Sequence, residues 1–205
     1  MNAGASPHSP VTTVDQYRDY TNRLHDALNR GPIERVGRLA DALLAAFESR
    51  QAVFLCGNGG SAGNAIHLAN DFLFGMGRSC GIGLRVEALP SNAAILTCLA
   101  NDLSYEEVFA EQLRLKGAPG DLLVVLSGSG NSPNVVRALE AAHALGMQTF
   151  AILSYTGGRC LELAQTPIHF AVDDMQIAED LQLIVGHMCM QSVSARLAAA
   201  REGRA

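Results

Sequence analysis

The chain has 205 residues, a formal net charge of −5 at pH 7 and an apolar content of 48%. This length fits one domain with an adequate core, and this composition is too apolar for a disordered protein. The sequence contains no basic run and no apolar stretch near the ~20 residues of a membrane span, so neither nucleic acid nor membrane is an expected partner.

The five cysteines are scattered through the chain, and none has C-x-x-C spacing. An odd number of cysteines in apolar surroundings favours reduced thiols over a disulfide framework or a cysteine zinc site. We therefore expect a cytoplasmic protein.

The opening of the chain predicts two helices. Residues 1–12 predict a short flexible tail, and residues 13–200 predict a single domain. Apolar residues recur at helical spacing over 13–30 and again over about 33–49. These helices are more than a minimal doubly wound sheet needs, so we expect them to cover one sheet face or to pack against another subunit.

The rest of the chain alternates between strand and helix patterns. The segment 75–81 interrupts this alternation and predicts an irregular connector. The predicted strands are 52–55, 84–89, 121–126, 149–154 and 168–172, and the predicted helices are 64–73, 91–100, 106–115, 134–145 and about 175–200. This order predicts an α/β fold: a doubly wound, five-stranded parallel sheet flanked by helices, with additional N-terminal helices. Its ligands should bind outside the carboxyl ends of the strands.

A glycine-rich segment, Cys56–Gly63, joins the first predicted strand to its helix. Its glycines allow a sharp turn with φ > 0 and close approach of a ligand to the backbone. The N–H groups of the helix's first turn favour an anion, and Ser61 adds a hydroxyl donor. The segment is a candidate phosphate cradle, with a merely structural strand-to-helix turn as the alternative.

A second loop of this kind, Ser127–Pro133, follows the third predicted strand. Its three serines are more than a plain turn needs, and Pro133 suits the first turn of a helix. Two such loops favour a phosphorylated ligand. Dinucleotide binding is less favoured, because the third glycine comes late, at Gly63, and Glu87 lies inside the next strand rather than at its tip.

Four motifs in chain order resemble a known family: Phe54–Ser61, Ala100–Asp102, Gly120–Asp121 and Ser127–Ser132. They are similar to the sugar isomerase (SIS) domain and, within it, to the phosphoheptose isomerases, over roughly residues 15–195. The resemblance implies an SIS-type fold and an aldose–ketose isomerase that converts sedoheptulose 7-phosphate to D-glycero-D-manno-heptose 7-phosphate through an enediol(ate). It also implies a homotetramer with active sites at subunit interfaces.

The resemblance further implies which residues form the site. Asp71 falls at the position of a glutamate base, His187 at that of a histidine acid, and Glu179 where the family usually has glutamine. His67, Asp71, Glu179 and His187 would hold one divalent ion, zinc, in each active site. The implied substrate-binding residues are Asn58, Gly59, Gly60, Ser61, Asn101, Asp102, Ser127, Gly128, Ser129, Ser132 and Glu179.

Two departures from the family pattern bear on this assignment. Asp71 is one methylene shorter than glutamate, and a displacement of about 1 Å can cost ~10²-fold in rate. Glu179 adds a negative charge to the pocket. It also precedes His187 by eight residues, or about 12 Å along a straight helix. One ion could bind both side chains only if the start of the helix is unwound or two subunits contribute.

The same residues have plainer interpretations without the family. His67 and Asp71 would form an ion pair four residues apart on one helix, His187 would be a core histidine, and Glu179 would be a solvated residue at a helix start. Two other functions stay open: a related SIS isomerase for another sugar phosphate, and a non-catalytic SIS tetramer that binds a sugar phosphate or a replication initiator. A scaffold would not need His67, Asp71 and His187, which argues against the second.

Overall fold

The computed structural model describes residues 12–202, apart from the side chains of Ser79, Cys80 and Glu202. Within this range the strands are β1 (Ala52–Cys56), β2 (Arg85–Ala88), β3 (Leu122–Ser127), β4 (Gln148–Leu153) and β5 (Thr166–His169). The helices are α1 (Thr13–Arg30), α2 (Ile33–Ser49), α3 (Gly60–Asn70), α4 (Met76–Cys80), α5 (Ala93–Asp102), α6 (Ala110–Lys116), α7 (Pro133–Ala144), α8 (Gly158–Leu163) and α9 (Met175–Glu202). None of these helices is both long and apolar enough to cross a bilayer.

The start of α1 is set by its cap. The Thr12 hydroxyl oxygen accepts a hydrogen bond from the Asp15 N–H, and the Asp15 carboxylate accepts one from the Thr12 N–H. Such a reciprocal pair satisfies two otherwise free N–H groups at a helix start. The rest of the predicted N-terminal tail lies outside the described residues.

The five strands form one parallel sheet in the order β2-β1-β3-β4-β5. The chain therefore leaves β1 towards one edge of the sheet and returns through β3 on the other side of β1. Ligands of doubly wound sheets bind at this reversal, in the crevice outside the carboxyl ends of the strands. The loops after β1 and β3 meet there, and the predicted fold class is confirmed.

Hydrophobic cores cover both faces of the sheet. Side chains alternate along each strand, so Val53 and Leu55 face one core while Phe54 and Cys56 face the other. Helices α2, α3 and α9 supply the first core, and α6, α7 and α8 supply the second. All six residues of β3 are buried, as expected of a central strand covered on both faces.

The opening helices do not extend the sheet. Both α1 and α2 pack against α9, and α2 also contacts the sheet. Side-chain contacts help to hold α1 on the start of α9, because the Tyr20 hydroxyl donates to Asp180 and the Arg23 guanidinium pairs with Asp174, each at 2.5 Å. Burial, reinforced by the Asp180 carboxylate, raises the pKa of Tyr20 to about 12.

Local structure departs from the predictions in several places. The predicted connector 75–81 is wrong, because α4 occupies most of it. Gly75 and Gly77 are poor helix formers, but the buried Met76 packs into the core, and this burial outweighs propensity. Helix α6 begins four residues later than predicted, after a 3₁₀ turn at Tyr105–Glu107.

The end of the sheet also differs from its prediction. Helix α8 was not predicted, because six residues are too few to show a helical period. Strand β5 begins two residues before the predicted segment 168–172 and contains Pro167. Proline is tolerated there because β5 is an edge strand.

Candidate active site

The first loop of the site turns sharply from β1 into α3. Gly59 has φ 56° and ψ −123°, a conformation that glycine alone adopts readily. At Gly57, an added β-carbon would lie 2.7 Å from the carbonyl oxygen of Leu126, so this loop lies flat against the end of β3. No backbone carbonyl within residues 12–202 accepts from the N–H of Gly60 or Ser61. These N–H groups are available to an anion at the positive end of the α3 dipole.

The second loop leads from β3 into α7 and presents hydroxyl groups. Ser127 Oγ accepts from the Gly130 N–H at 3.0 Å, and Ser129 Oγ accepts from the Asn131 N–H at 3.3 Å. These bonds hold the loop in shape through the lone pairs of the hydroxyl oxygens, which leaves the hydroxyl hydrogens for a ligand. Ser132 precedes α7 and makes no side-chain cap of that helix.

A reciprocal pair of amides ties the two loops together. Asn58 Nδ2 donates to Asn134 Oδ1, and Asn134 Nδ2 donates to Asn58 Oδ1, both at 2.8 Å. The Tyr105 hydroxyl also donates to Asn58 Oδ1, at 3.0 Å. Sequence reasoning missed Asn134 and Tyr105. The signal for Asn134 was a polar residue at the buried start of an otherwise apolar helix, where it must find a hydrogen-bond partner.

Between the loops lies a cavity of about 300 Å³. Its walls come from the first loop, the second loop, the end of β3 and the start of α9, and consist of Asn58, Gly59, Gly60, Ser61, Leu126, Ser127, Gly128, Ser129, Ser132, Met175 and Glu179. The structure therefore brings together every predicted substrate-binding residue except Asn101 and Asp102.

Asn101 and Asp102 lie at the exposed end of α5, away from the cavity walls. Asn101 Nδ2 donates to Asp102 Oδ1 at 2.8 Å, and the Cys98 thiol donates to Asp102 Oδ2 at 3.4 Å. These hydrogen bonds, first that from Asn101, hold the pKa of Asp102 below its usual value. The contact of Asn101 and Asp102 with the substrate stays a prediction.

Glu179 lies across the start of α3. A β-carbon added at Gly60 would overlap both carboxylate oxygens of Glu179, so only glycine permits this close approach. Within the described residues the carboxylate has no hydrogen-bond or ion-pair partner. It does lie near the positive end of the α3 dipole, which favours a negative charge.

A second polar cluster joins α3 to α9. Asp71 Oδ2 lies 3.3 Å from Nε2 of His67 and 3.3 Å from Nε2 of His187, and the two Nε2 atoms are 3.1 Å apart. The histidines are 49% and 40% exposed, so His187 is not a core histidine. Glu179 does not belong to this cluster. Because α9 is continuous from Met175, both Glu179 and His187 lie on the same helix, in line with the spacing estimated from the sequence.

The donor set and spacing of this cluster fit a metal ion. Zinc bonds of 2.0–2.1 Å in tetrahedral geometry place neighbouring ligand atoms about 3.4 Å apart. Two imidazole nitrogens and one carboxylate oxygen are also a common donor set of catalytic zinc sites.

Two local features bring these side chains together. Helix α3 widens into a single π-helical turn, Asp71–Gly75, which begins at Asp71 itself. Turns of this kind are rare and occur frequently at functional sites. On α9, a β-carbon at Gly186 would lie 2.7 Å from Cδ1 of Leu68, so glycine next to His187 lets the two helices approach closely.

Comparison with known proteins agrees with this geometry. The SIS domain family matches residues 16–154. The chain belongs to the SIS domain family. Of the three residues of the polar cluster, His67 and Asp71 lie within the matched segment, and His187 lies after its end.

The chain is similar to phosphoheptose isomerases along most of its length. It is 38% identical to the phosphoheptose isomerase of Akkermansia muciniphila over 163 residues, and this alignment covers 80% of this chain and 84% of the relative. It is 36% identical to the phosphoheptose isomerase of Synechocystis over 186 residues, and this alignment covers 90% of this chain and 93% of the relative. Its SIS fold is also similar to the structure of a phosphoheptose isomerase from Neisseria gonorrhoeae, with a TM-score of 0.81 and 25% identity over 89% of this chain and 96% of that one. The family resemblance inferred from the four motifs is confirmed.

Proposed function

We propose that this SIS-domain chain is a phosphoheptose isomerase that converts sedoheptulose 7-phosphate to D-glycero-D-manno-heptose 7-phosphate. The similarity to phosphoheptose isomerases supports the activity. One observation supports the assignment to this site: α3 begins at the cavity wall with the free N–H groups of Gly60 and Ser61, and the cluster of His67, Asp71 and His187 lies at its other end.

The spacing along α3 suits a seven-carbon sugar phosphate. Ser61 and His67 are six residues apart, a rise of about 9 Å along the helix. An extended chain advances about 1.3 Å per bond, so the seven bonds from C2 of a ketoheptose 7-phosphate to its phosphorus also span about 9 Å. Phosphate in the cradle would therefore place the carbonyl end of the sugar near the cluster.

The phosphate would bind without a basic side chain. Its oxygens would accept from the N–H groups of Gly60 and Ser61 and from the hydroxyls of Ser61, Ser129 and Ser132. Hydrogen bonds to a charged acceptor are about twice as strong as those between neutral groups. Asn58, Ser127 and Gly128 would shape the same cavity, and the Glu179 carboxylate would contact sugar hydroxyls.

The isomerisation needs a base and an acid at adjacent atoms. The Asp71 carboxylate takes the proton from C1, the C–H electron pair forms the enediolate double bond, and His187 donates a proton to the C2 oxygen. Return of a proton to C2 and loss of the proton from the C1 hydroxyl give the aldose. Proton transfer by positioned side chains of this kind typically contributes 10²–10⁴-fold to the rate.

In the alternative role of His187, as a ligand rather than the proton donor, His67, Asp71 and His187 would hold a divalent ion such as zinc. When bound, such an ion supplies positive charge that stabilises an enediolate. Glu179 would complete this ligand set only from a neighbouring subunit, because it lies elsewhere within its own chain.

The cluster lies on an apolar surface. Ile66, Leu73 and Phe74 are 44%, 53% and 63% exposed, and they flank His67 and Asp71 along the chain. Exposed apolar groups of this size beside the cluster support a homotetramer in which a neighbouring subunit closes each active site. The free cysteines Cys56, Cys98, Cys160 and Cys189 support a cytoplasmic location.

Turnover of sedoheptulose 7-phosphate by the purified protein, with and without added zinc, tests the proposal. Five- and six-carbon ketose phosphates at equal concentration are the matched controls. We expect the highest kcat/KM with the seven-carbon substrate. Tight binding without turnover in the presence of zinc would instead identify a non-catalytic sugar-phosphate-binding protein.

A further inference from the structure

Gln182 is a polar side chain buried directly behind the cavity. It lies on α9, is 1% exposed, and does not line the cavity itself. No role for it follows from the proposed chemistry. A buried amide has two donors and an acceptor to satisfy, so its partners determine which way it faces.

The orientation of the amide follows from a main-chain carbonyl. Asn64 Nδ2 donates to the carbonyl oxygen of Glu179 at 2.9 Å, and a carbonyl oxygen can only accept. The same Nδ2 faces Gln182 at 3.0 Å, so the atom of Gln182 on that side is Oε1. The opposite side of the amide is therefore Nε2, which donates to Ser61 Oγ at 3.0 Å.

This orientation decides what Ser61 can do. Its oxygen accepts from Gln182, so its single hydrogen must be donated to another group. Within residues 12–202 no protein acceptor receives that hydrogen. Ser61 is 4% exposed, and its remaining open side is the cavity wall.

We propose that Gln182 is a positioning residue that holds Ser61 as a hydrogen-bond donor to the phosphate of the substrate. The inference rests on the proposed function, because it needs phosphate in the cradle. A chain of hydrogen bonds runs from the Glu179 carbonyl through Asn64 and Gln182 to Ser61. Through this chain, α9 determines that the Ser61 hydroxyl on α3 acts as a donor towards the cavity. The terminal oxygens of a sugar-phosphate dianion only accept, so a fixed donor favours them over ligand groups that donate.

The test compares substitutions at Gln182 in the presence and absence of the Ser61 hydroxyl. Gln182→Glu keeps the size and the bond to Asn64 but accepts the Ser61 hydrogen, which removes it from the cavity. Gln182→Met has a similar length and no donor. With inorganic phosphate as the probe in calorimetry, we expect Gln182→Glu to weaken affinity by about tenfold to a hundredfold, and Gln182→Met by less.

The decisive measurement repeats these substitutions in the Ser61→Ala background. If Gln182 acts through Ser61, Gln182→Met should change phosphate affinity by less than about twofold there, because coupled residues do not act additively. The KM for sedoheptulose 7-phosphate should rise more than kcat falls. If Gln182→Met weakens phosphate affinity equally with and without the Ser61 hydroxyl, the positioning role is overturned and Gln182 is a packing residue.

Two further variants keep the outcome interpretable. The carboxylate of Asn64→Asp can only accept, so it should turn the Gln182 amide and make Ser61 donate to Gln182 Oε1. This substitution should therefore weaken phosphate binding although both Ser61 and Gln182 are unchanged. It replaces the Gln182 variants if their melting temperatures show unfolding. If Ser61→Ala alone binds phosphate as tightly as the unmodified protein, the phosphate cradle of the proposed function fails as well. If Ser61→Ala weakens phosphate binding but the Gln182 and Asn64 variants do not, the positioning role of Gln182 is overturned and the phosphate cradle stands.

Discussion

Asp71→Asn is expected to lower kcat severely while leaving phosphate affinity nearly unchanged. Asparagine keeps the size of the side chain but has almost no basicity. Asp71 Oδ2 lies 3.3 Å from each histidine Nε2, so its charge acts on the whole cluster. Loss of a general base typically lowers the rate 10²–10⁴-fold, and we expect kcat to fall within that range.

The small effect on phosphate follows from distance. Asp71 lies ten residues after Ser61 along α3 and the turn that continues it, a rise of about 15 Å. Two unit charges at this separation in water interact by only about 0.3 kcal/mol, and physiological salt screens that further. Inorganic phosphate affinity should therefore change by less than about twofold.

The assay measures turnover, phosphate affinity and melting temperature on the same preparations. Asp71→Glu is the matched control, because it keeps the charge, and we expect it to keep substantial activity. If Asp71 and the histidines were only a surface ion pair, Asp71→Asn would cost about 0.2–1 kcal/mol, a shift of a few °C, and little rate. An active, slightly destabilised Asp71→Asn enzyme would refute the reasoning and direct the search for a base to Glu179.

Three other predictions concern the loop, the pH dependence and the assembly. Ser129→Ala should weaken sugar-phosphate binding at least tenfold in calorimetry with an unchanged fold, because a charge-assisted hydrogen bond of about 1.5–3 kcal/mol is lost; unchanged affinity would contradict its role. The Arg23 guanidinium holds the pKa of Asp174 below its ordinary value of 3.8, so this pair stabilises the fold above that value and less as pH falls through the lower, folded pKa. The stability gap between the unmodified protein and Asp174→Asn, measured by thermal melting, should therefore narrow below pH 3.8; a constant gap would exclude this linkage. Sedimentation should give a tetramer, and a 21.7 kDa monomer at micromolar concentration would argue against active sites at subunit interfaces.

Local patterns in the sequence were sufficient for much of the fold. The bounds of α1 and α2 agree with their predictions, because each helix has a clear apolar stripe and the chain breaks between them at Gly31 and Pro32. The loop positions also followed from the sequence, since glycine and serine clusters directly after apolar strands fall at the carboxyl ends of a parallel sheet. These features depend on neighbours within a few residues.

The polar contacts that organise the site could not be predicted in this way. Asn58 and Asn134 are 76 residues apart, and Ser61 and Gln182 are 121 residues apart. Their pairing depends on strand order and on how closely α9 approaches α3, which no local pattern encodes. The wide turn at Asp71 is equally hidden, because it differs from an α-helix only in which carbonyl each N–H reaches.

Glu179 shows both the strength and the limit of the sequence argument. Helical rise alone indicated that it and His187 could not share an ion within one straight helix, and the structure keeps α9 continuous across both. Where Glu179 would lie instead could not be foreseen. That depends on Gly60, whose missing side chain leaves room for the carboxylate at the start of α3.

The last prediction uses this position to decide what Glu179 does. Its carboxylate lies on the wall of the cavity in which phosphate would bind and has no cationic partner within the described residues. At about 5 Å in water, a unit charge repels a phosphate of charge −1.5 to −2 by about 1.5 kcal/mol. Glu179→Gln should therefore strengthen inorganic phosphate binding about tenfold.

The sugar phosphate should respond differently to the same substitution. If Glu179 accepts hydrogen bonds from sugar hydroxyls, Glu179→Gln removes charge-assisted contacts and offsets the gain, so affinity for sedoheptulose 7-phosphate should rise much less than affinity for inorganic phosphate. Calorimetry with both ligands measures the difference, and Glu179→Ala, which removes the acceptor altogether, is the control. Equal tenfold gains for both ligands would show that Glu179 contacts only the phosphate region. Weaker binding of inorganic phosphate would show that the carboxylate supports the cradle, for example by fixing the start of α3, and would exclude repulsion as its dominant effect.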